Sequence, residues 1–369
     1  MIRRIVFGLT LVMGAWACSS DDSPGSGSDG FDRSALLINW ADNIIIPAYE
    51  AYAASLAKLT TAENQFTINL SVQNLEELRT AWLEAYIAWQ HVSMFEIGKA
   101  EELTLRDFTN IFPANAAEIE SSISSGVPPF NLELPSSRDE QGFPALDYLL
   151  FGIADNDEDI VDQFRQDAKY GIYLSQVVTR LNSLTNEVLD DWKDEFRDEF
   201  VENNGSTAGS SVNKLVNDYM FYYEKALRAG KIGIPAGVFS TSPLSDRVEG
   251  LYSKKYSKVL FEAALQATID FFNGKHFDGA GTGPGLNTYL AFLNTITEGE
   301  NLATAINSQF TKAQSTSGLL KDSFFDEVET NNTAMLGAYN ELQAVVPLMK
   351  VDMFTALNIR VDFVDADGD

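Results

Sequence analysis

Two side chains that do much of the chemistry in other proteins are scarce in this 369-residue chain. It has one cysteine and two histidines. One cysteine excludes an intramolecular disulfide and any Cys-rich zinc or iron–sulfur site. Two histidines leave too few ligands for a multi-histidine metal centre. Basic residues are also in short supply, with 26 Lys and Arg against 53 Asp and Glu and a formal net charge of −27. A polyphosphate needs a basic footprint, so nucleic acid is excluded as a partner. What is present is apolar mass: 45% of the residues are hydrophobic and 11% aromatic, enough for a sizeable core despite the charge.

The single cysteine has a natural place. Arg3 and Arg4 precede an apolar run from Ile5 to Ala17, and Cys18 follows. A short positive segment, a short apolar segment and small residues at its end describe an export signal over residues 1–17. The run is too short for a membrane span. Ala15-Trp16-Ala17-Cys18 resembles a bacterial lipobox, although Ala15 stands where leucine is usual. On that reading Cys18 is lipidated and anchors the chain to the outer membrane, on its periplasmic or cell-surface side. The alternative is an ordinary cleaved signal with a leftover thiol. Residues 18–33 are small, polar and suited to a tether, and Asp21-Asp22 resembles the surface-export signal of Bacteroidetes-type lipoproteins. Loss of residues 1–17 removes two arginines and no acid, taking the net charge to −29.

Beyond the tether the pattern is helical. Leu75, Leu78, Trp82, Ala85, Trp89 and Val92 recur at spacings of three and four. The same holds for Leu174 to Leu189, Val259 to Phe271 and Met335 to Val346. No sustained apolar–polar alternation appears, so the fold class is all-α. Ser71 or Asn74 is a cap signal, Thr60-Thr61 reads as a break, and Pro47 predicts a kink or boundary. Asn203 to Ser211 forms a joint, so two helical-bundle halves, 34–202 and 212–369, are expected to pack together.

Most candidate motifs lack their context. Gly281-Thr282-Gly283-Pro284-Gly285 has no Lys-Ser/Thr to hold a nucleotide and reads as a helix-to-helix loop, with His276 beside it. Asp365 to Asp369 starts like a calcium loop but lacks its distal acid. At about 100° per residue, His91 projects away from the apolar stripe and is expected at the surface. Glu96 continues the stripe seven residues after Trp89, so either the helix ends before it or the acid is buried against a partner. Asp147 is set among apolar residues in Gly142-Phe143-Pro144-Ala145-Leu146-Asp147-Tyr148-Leu149-Leu150-Phe151-Gly152. Two roles are open to it: bonding amides in the first turn of its own helix, or contacting a ligand in a cleft.

Gly142 to Gly152 resembles the signature of the imelysin family, Gly-x-His-x-x-Glu followed by an apolar run. Gly142 matches, Pro144 replaces the histidine and Asp147 replaces the glutamate. Ala88-Trp89-Gln90 through Glu96-Ile97-Gly98, Phe112-Pro113-Ala114-Asn115, Lys231-Ile232-Gly233-Ile234-Pro235 with Glu249 downstream, and the acidic ending resemble family segments in the same order. The resemblance implies an all-helical extracytoplasmic protein linked to iron or haem uptake. It makes Gly142, Pro144 and Asp147 the ligand-binding positions and Trp89, Glu96, Lys231 and Glu249 residues of the cleft. Some members are described as metallopeptidases whose motif histidine and glutamate are proposed metal ligands. Pro144 has no ligating atom, and a catalytic zinc usually has three protein ligands. That turns the expectation from catalysis to ligand binding. Iron or another hard cation is the implied cofactor, with Asp147 the best single metal candidate. A scaffold that binds an outer-membrane partner protein is the further alternative.

Overall fold

In the computed structural model, residues 29–297 and 300–363 are described. The chain divides after Gly30, and the unit that begins at Phe31 carries everything below. The fold is all-α. The described strands are one two-residue antiparallel pair, Ile296–Thr297 with Glu300–Asn301. Among the described residues no helix is long and apolar enough to cross a membrane. The acidic ending, Asp365 to Asp369, lies outside the described residues.

Asp32 accepts a hydrogen bond from the Ala35 amide and starts the first helix, Arg33–Ile38. A wider-wound turn, Asn39–Ile45, leads into the helix Ile46–Ile68. Pro47 sits in the first turn of that helix, where its missing N–H costs nothing. The expected break at Thr60-Thr61 does not occur. Both hydroxyls bond back to carbonyls one turn earlier, Leu56 at 2.9 Å and Ala57 at 3.0 Å, so they cap nothing and the helix continues. Ser71 accepts from the Asn74 amide and caps the next helix, Val72–Gln90. That helix ends before Glu96.

The helix Ile46–Ile68 packs between Val72–Gln90 and Ala168–Asp191. Later in the chain, Leu302–Ser317 packs on Phe324–Gln343, which in turn lies on the wide helix Tyr222–Gly233. The helix Ser257–Phe272 touches both Val72–Gln90 and Tyr222–Gly233. Its Phe271 is a hub, with its ring 5.0 Å from Trp40, 5.3 Å from Phe95 and 5.1 Å from Tyr219. Trp40, Trp82, Trp89 and Trp192 are fully buried, so Trp82 and Trp89, noted for their spacing, are core residues first. The segment 203–210 is an irregular loop closed by Asn203, whose carbonyl accepts the Ser211 amide and whose side chain reaches the Gly209 carbonyl.

His91 is half-buried rather than the fully exposed residue its helical angle predicts. It still has helical backbone angles as the cap residue, but Phe277 from a distant loop packs across its ring at 5.5 Å and half covers it, a tertiary contact that the helical angle cannot show. Burial lowers its pKa, with Asp270 pulling the other way.

Candidate functional site

The helix Gly142–Phe151 carries the motif residues. Gly142 has φ +75°, and a Cβ there would stand 2.1 Å from the Thr109 carbonyl oxygen. Glycine is required twice over, by conformation and by space. Pro144 is buried in the first turn. Trp82 Nε1 donates to the Phe143 carbonyl at 3.2 Å, and Tyr86 stacks on the Phe143 ring at 4.5 Å. The first turn is thereby fixed against the helix Val72–Gln90.

Asp147 is 1% exposed. Its Oδ2 accepts the Tyr252 amide at 2.8 Å and its Oδ1 the Ser253 amide at 3.0 Å. It does bond backbone amides, as one of its two expected roles required, but they belong to a turn about a hundred residues downstream rather than to its own helix. Burial pushes its carboxyl up to about 7 against the pull of the two amides, and the Glu249 charge adds to the rise.

Glu249 is 2% exposed and Lys231 3%. The Lys231 ammonium donates to Glu249 Oε2 and, at 2.9 Å, to Gln90 Oε1. Glu249 Oε1 also accepts from Asn110 at 2.8 Å and from Gln90 at 3.3 Å. Burial lowers the Lys231 pKa, and Glu249 opposes that shift. The pair is therefore dry, closely held and served by two amide side chains.

A second charged group lies alongside. Arg106 pairs with Glu96 at 2.8 Å and with Asp218 at 3.0 Å, and its Nε donates to the Ser93 carbonyl at 2.8 Å. One guanidinium serves two carboxylates, and burial raises the pKa of both acids.

Between these groups lies a cavity of about 330 Å³ lined by Trp89, Gln90, Phe112, Tyr222, Lys231 and Arg247 among others. Asp147 and Pro144 do not line it, and Glu249 stands behind Lys231. Glu96 faces another cavity, with Glu101, Lys214 and Asp362. A larger apolar groove of about 1030 Å³, walled by Phe130, Leu132 and Phe164, shares no lining residue with the motif or the pair.

A motif-centred metal does not fit these residues. Asp147 has both oxygens engaged by amides, Pro144 offers no donor, and Glu249, the carboxylate whose charge reaches Asp147, is held by Lys231. Among the described residues no three His, Cys, Asp or Glu side chains are grouped as a metal ion would need.

The imelysin family profile matches residues 45–347. The chain belongs to the imelysin family. No curated protein matches it in sequence. An imelysin-like protein from Psychrobacter arcticum has a similar crystal structure, with a TM-score of 0.69 at 16% identity, over 90% of this chain and 97% of that one. A protein from Parabacteroides distasonis described as an iron-regulated protein A precursor gives 0.68 at 17% identity, over 89% and 97%. These likenesses establish the fold.

In this imelysin-family chain, Trp89 and Lys231 line one cavity, while Gly142, Pro144 and Asp147 form the framework behind it. Asn110, Arg106 and Asp218 carry the polar network and carried no signal in the sequence. Gln90 carried one. It lies four residues after Tyr86, on the buried face, and a polar side chain there needs a partner.

Proposed function

We propose that the protein is a non-enzymatic, extracytoplasmic binding protein of imelysin type, linked to iron uptake, whose site is the cavity over Lys231 and Glu249. One observation carries the reading: both Asp147 oxygens are occupied by the Tyr252 and Ser253 amides, so the motif carboxylate acts as a clamp between segments. Two of its roughly four acceptor positions are taken and it does not line the cavity, so it does not face a ligand bound there. The cavity beside it, at about 330 Å³, suits a small ligand. The structural neighbour described as an iron-regulated protein supports the link to iron. The arginines and apolar run before Cys18 support export and a lipid anchor.

The test is native mass spectrometry and metal analysis of protein purified without additions, then calorimetry with ferric, ferrous, calcium and haem ligands. Ala226 lines the cavity, so Ala226→Phe fills it. A ligand that is present or binds in the parent and is lost in Ala226→Phe supports the reading. Chelator-sensitive cleavage of an unfolded substrate, abolished by Asp147→Asn, overturns it in favour of a metallopeptidase. Co-purification of an outer-membrane protein with no small ligand overturns it in favour of a scaffold.

A further inference from the structure

The apolar groove of about 1030 Å³ shares no lining residue with the cavity over Lys231. One helix, Ala168–Asp191, supplies its floor. Ala168, Gly171, Ser175, Thr179 and Ser183 recur at intervals of three and four, so they follow one another along a single helix face. Their side chains are small, which leaves a trough where larger residues would fill the space. Ile172 on the same helix also lines it and is 40% exposed, an apolar surface with water over it. The wall beside the floor is held in place by Gln176. Its side chain accepts the Phe130 amide at 2.8 Å and donates to the Phe130 carbonyl at 3.1 Å, and the Phe130 ring packs on Tyr173 at 5.0 Å.

The charges on these walls run against those of the chain. Acids outnumber bases 53 to 26 in the sequence, yet the groove is lined by two arginines and one acid. Arg165 is committed, to Asp162 at 2.6 Å and to the Leu70 carbonyl at 2.7 Å. Arg180 is held far more loosely. Among the described residues its one ion-pair partner is Glu133 at 4.0 Å, and the Glu133 side chain is 80% exposed. An exposed pair at that distance is worth little, so an incoming carboxylate displaces Glu133 at small cost. The Phe108 ring, 5.4 Å from the guanidinium carbon, keeps the arginine in position.

We propose that this groove binds a long-chain carboxylate of the fatty-acid type, with its head at Arg180 and its chain laid along Gly171 and Ala168 toward Phe164 and Leu70. The site is separate from the cavity over Lys231 and does not rest on the reading of that cavity. Charge complementarity selects the head: a planar carboxylate fits the guanidinium fork, and a cation is repelled by it. Length selects the tail. From Ala168 to Arg180 the helix advances about 18 Å. An extended chain advances ~1.2 Å per bond, so a carboxylate of about twelve to sixteen carbons spans that distance.

The experiment is calorimetry on the full chain, below micelle-forming concentrations, with dodecanoate, decanoate, decan-1-ol and decyltrimethylammonium. Dodecanoate is expected to bind, and decanoate roughly tenfold more weakly, since two methylenes are lost from the groove. Decan-1-ol is expected roughly tenfold weaker than decanoate, and the ammonium weaker still. A Cβ on Gly171 would meet only the Thr67 methyl carbon, at 3.8 Å, so Gly171→Leu fills the trough without strain and suits the helix better than glycine. It is expected to abolish dodecanoate binding with no fall in unfolding temperature. Arg180→Gln is expected to weaken decanoate roughly tenfold and leave decan-1-ol unchanged. Equal binding of decanoate and decan-1-ol, both indifferent to Arg180→Gln, overturns the carboxylate head. Dodecanoate binding that survives Gly171→Leu, or that is lost in Ala226→Phe, overturns the groove as its site. Absence of dodecanoate binding overturns the proposal, and a dimer in sedimentation that Gly171→Leu dissolves would then give the groove to a second copy of the chain.

Discussion

The Lys231–Glu249 pair offers the most direct test of the architecture. Both side chains are at most 3% exposed, so solvent screening does not reduce their interaction. Replacing Lys231 by methionine keeps most of the volume and removes the charge. Breaking a buried pair from one side generally costs about 3–5 kcal/mol, because the remaining charge is stranded. Here Glu249 keeps two donors, Asn110 and Gln90, which places the expected loss near the lower end, about 3 kcal/mol. Adding Glu249→Gln removes the stranded charge while retaining an acceptor for Asn110. The double variant should therefore recover roughly 2 kcal/mol relative to Lys231→Met alone. Urea unfolding followed by tryptophan fluorescence, at pH 7.5 and with a common slope, measures all four corners of the cycle. A Lys231→Met loss below about 1 kcal/mol, or no recovery in the double variant, would refute a dry, coupled pair.

Three further outcomes are expected. Asp147 has a native pKa of about 7, above its ordinary 3.8, so the folded state holds its proton more tightly than the unfolded state does. Its contribution is fully present below pH ~4 and is lost as pH rises through 7, so the stability of the parent relative to Asp147→Asn should fall across that window, by a few kcal/mol at most. Thermal unfolding of the two proteins from pH 4 to 8 reads this, and a flat difference contradicts it. Gly142→Ala places a Cβ 2.1 Å from the Thr109 oxygen at φ +75° and should cost more than about 2 kcal/mol in the same urea assay. Cys18→Ala should abolish incorporation of labelled palmitate and release the protein from membranes; unchanged labelling would place the anchor elsewhere.

The all-helical fold was legible because apolar residues recur with the helical period over long stretches, and each such stretch is a helix. The errors are local. Thr60-Thr61 reads as a break only if its hydroxyls serve as caps, yet in mid-helix they bond back to carbonyls and leave the helix intact. His91 reads as exposed from its helical angle, yet Phe277 from a loop far along the chain half covers it. The candidate site was legible in part. Trp89 and Lys231 came from family likeness, and Gln90 was readable as a polar residue on a buried face. The partners of Asp147 were not readable, because they are the backbone amides of Tyr252 and Ser253, which any residue other than proline would supply.

The replacement of histidine by Pro144 and of glutamate by Asp147 then acquires a physical sense. A proline in the first helical turn and a carboxylate bound to two distant amides are both devices for holding segments in place. Asp147 ties the helix Gly142–Phe151 to the turn that follows Glu249, and Gly142 lets the start of that helix lie close to the Thr109 carbonyl. Glu249 in turn holds Lys231, and Lys231 lines the cavity. The motif therefore acts on the cavity through Glu249 and Lys231, by position rather than by contact. In such an arrangement Asp147→Asn should lower stability and leave affinity for a cavity ligand largely unchanged, whereas Ala226→Phe should abolish binding. Calorimetry and urea unfolding on the same two variants would separate the roles, and an Asp147→Asn variant that folds normally but loses all binding would mean that Asp147 touches the ligand itself.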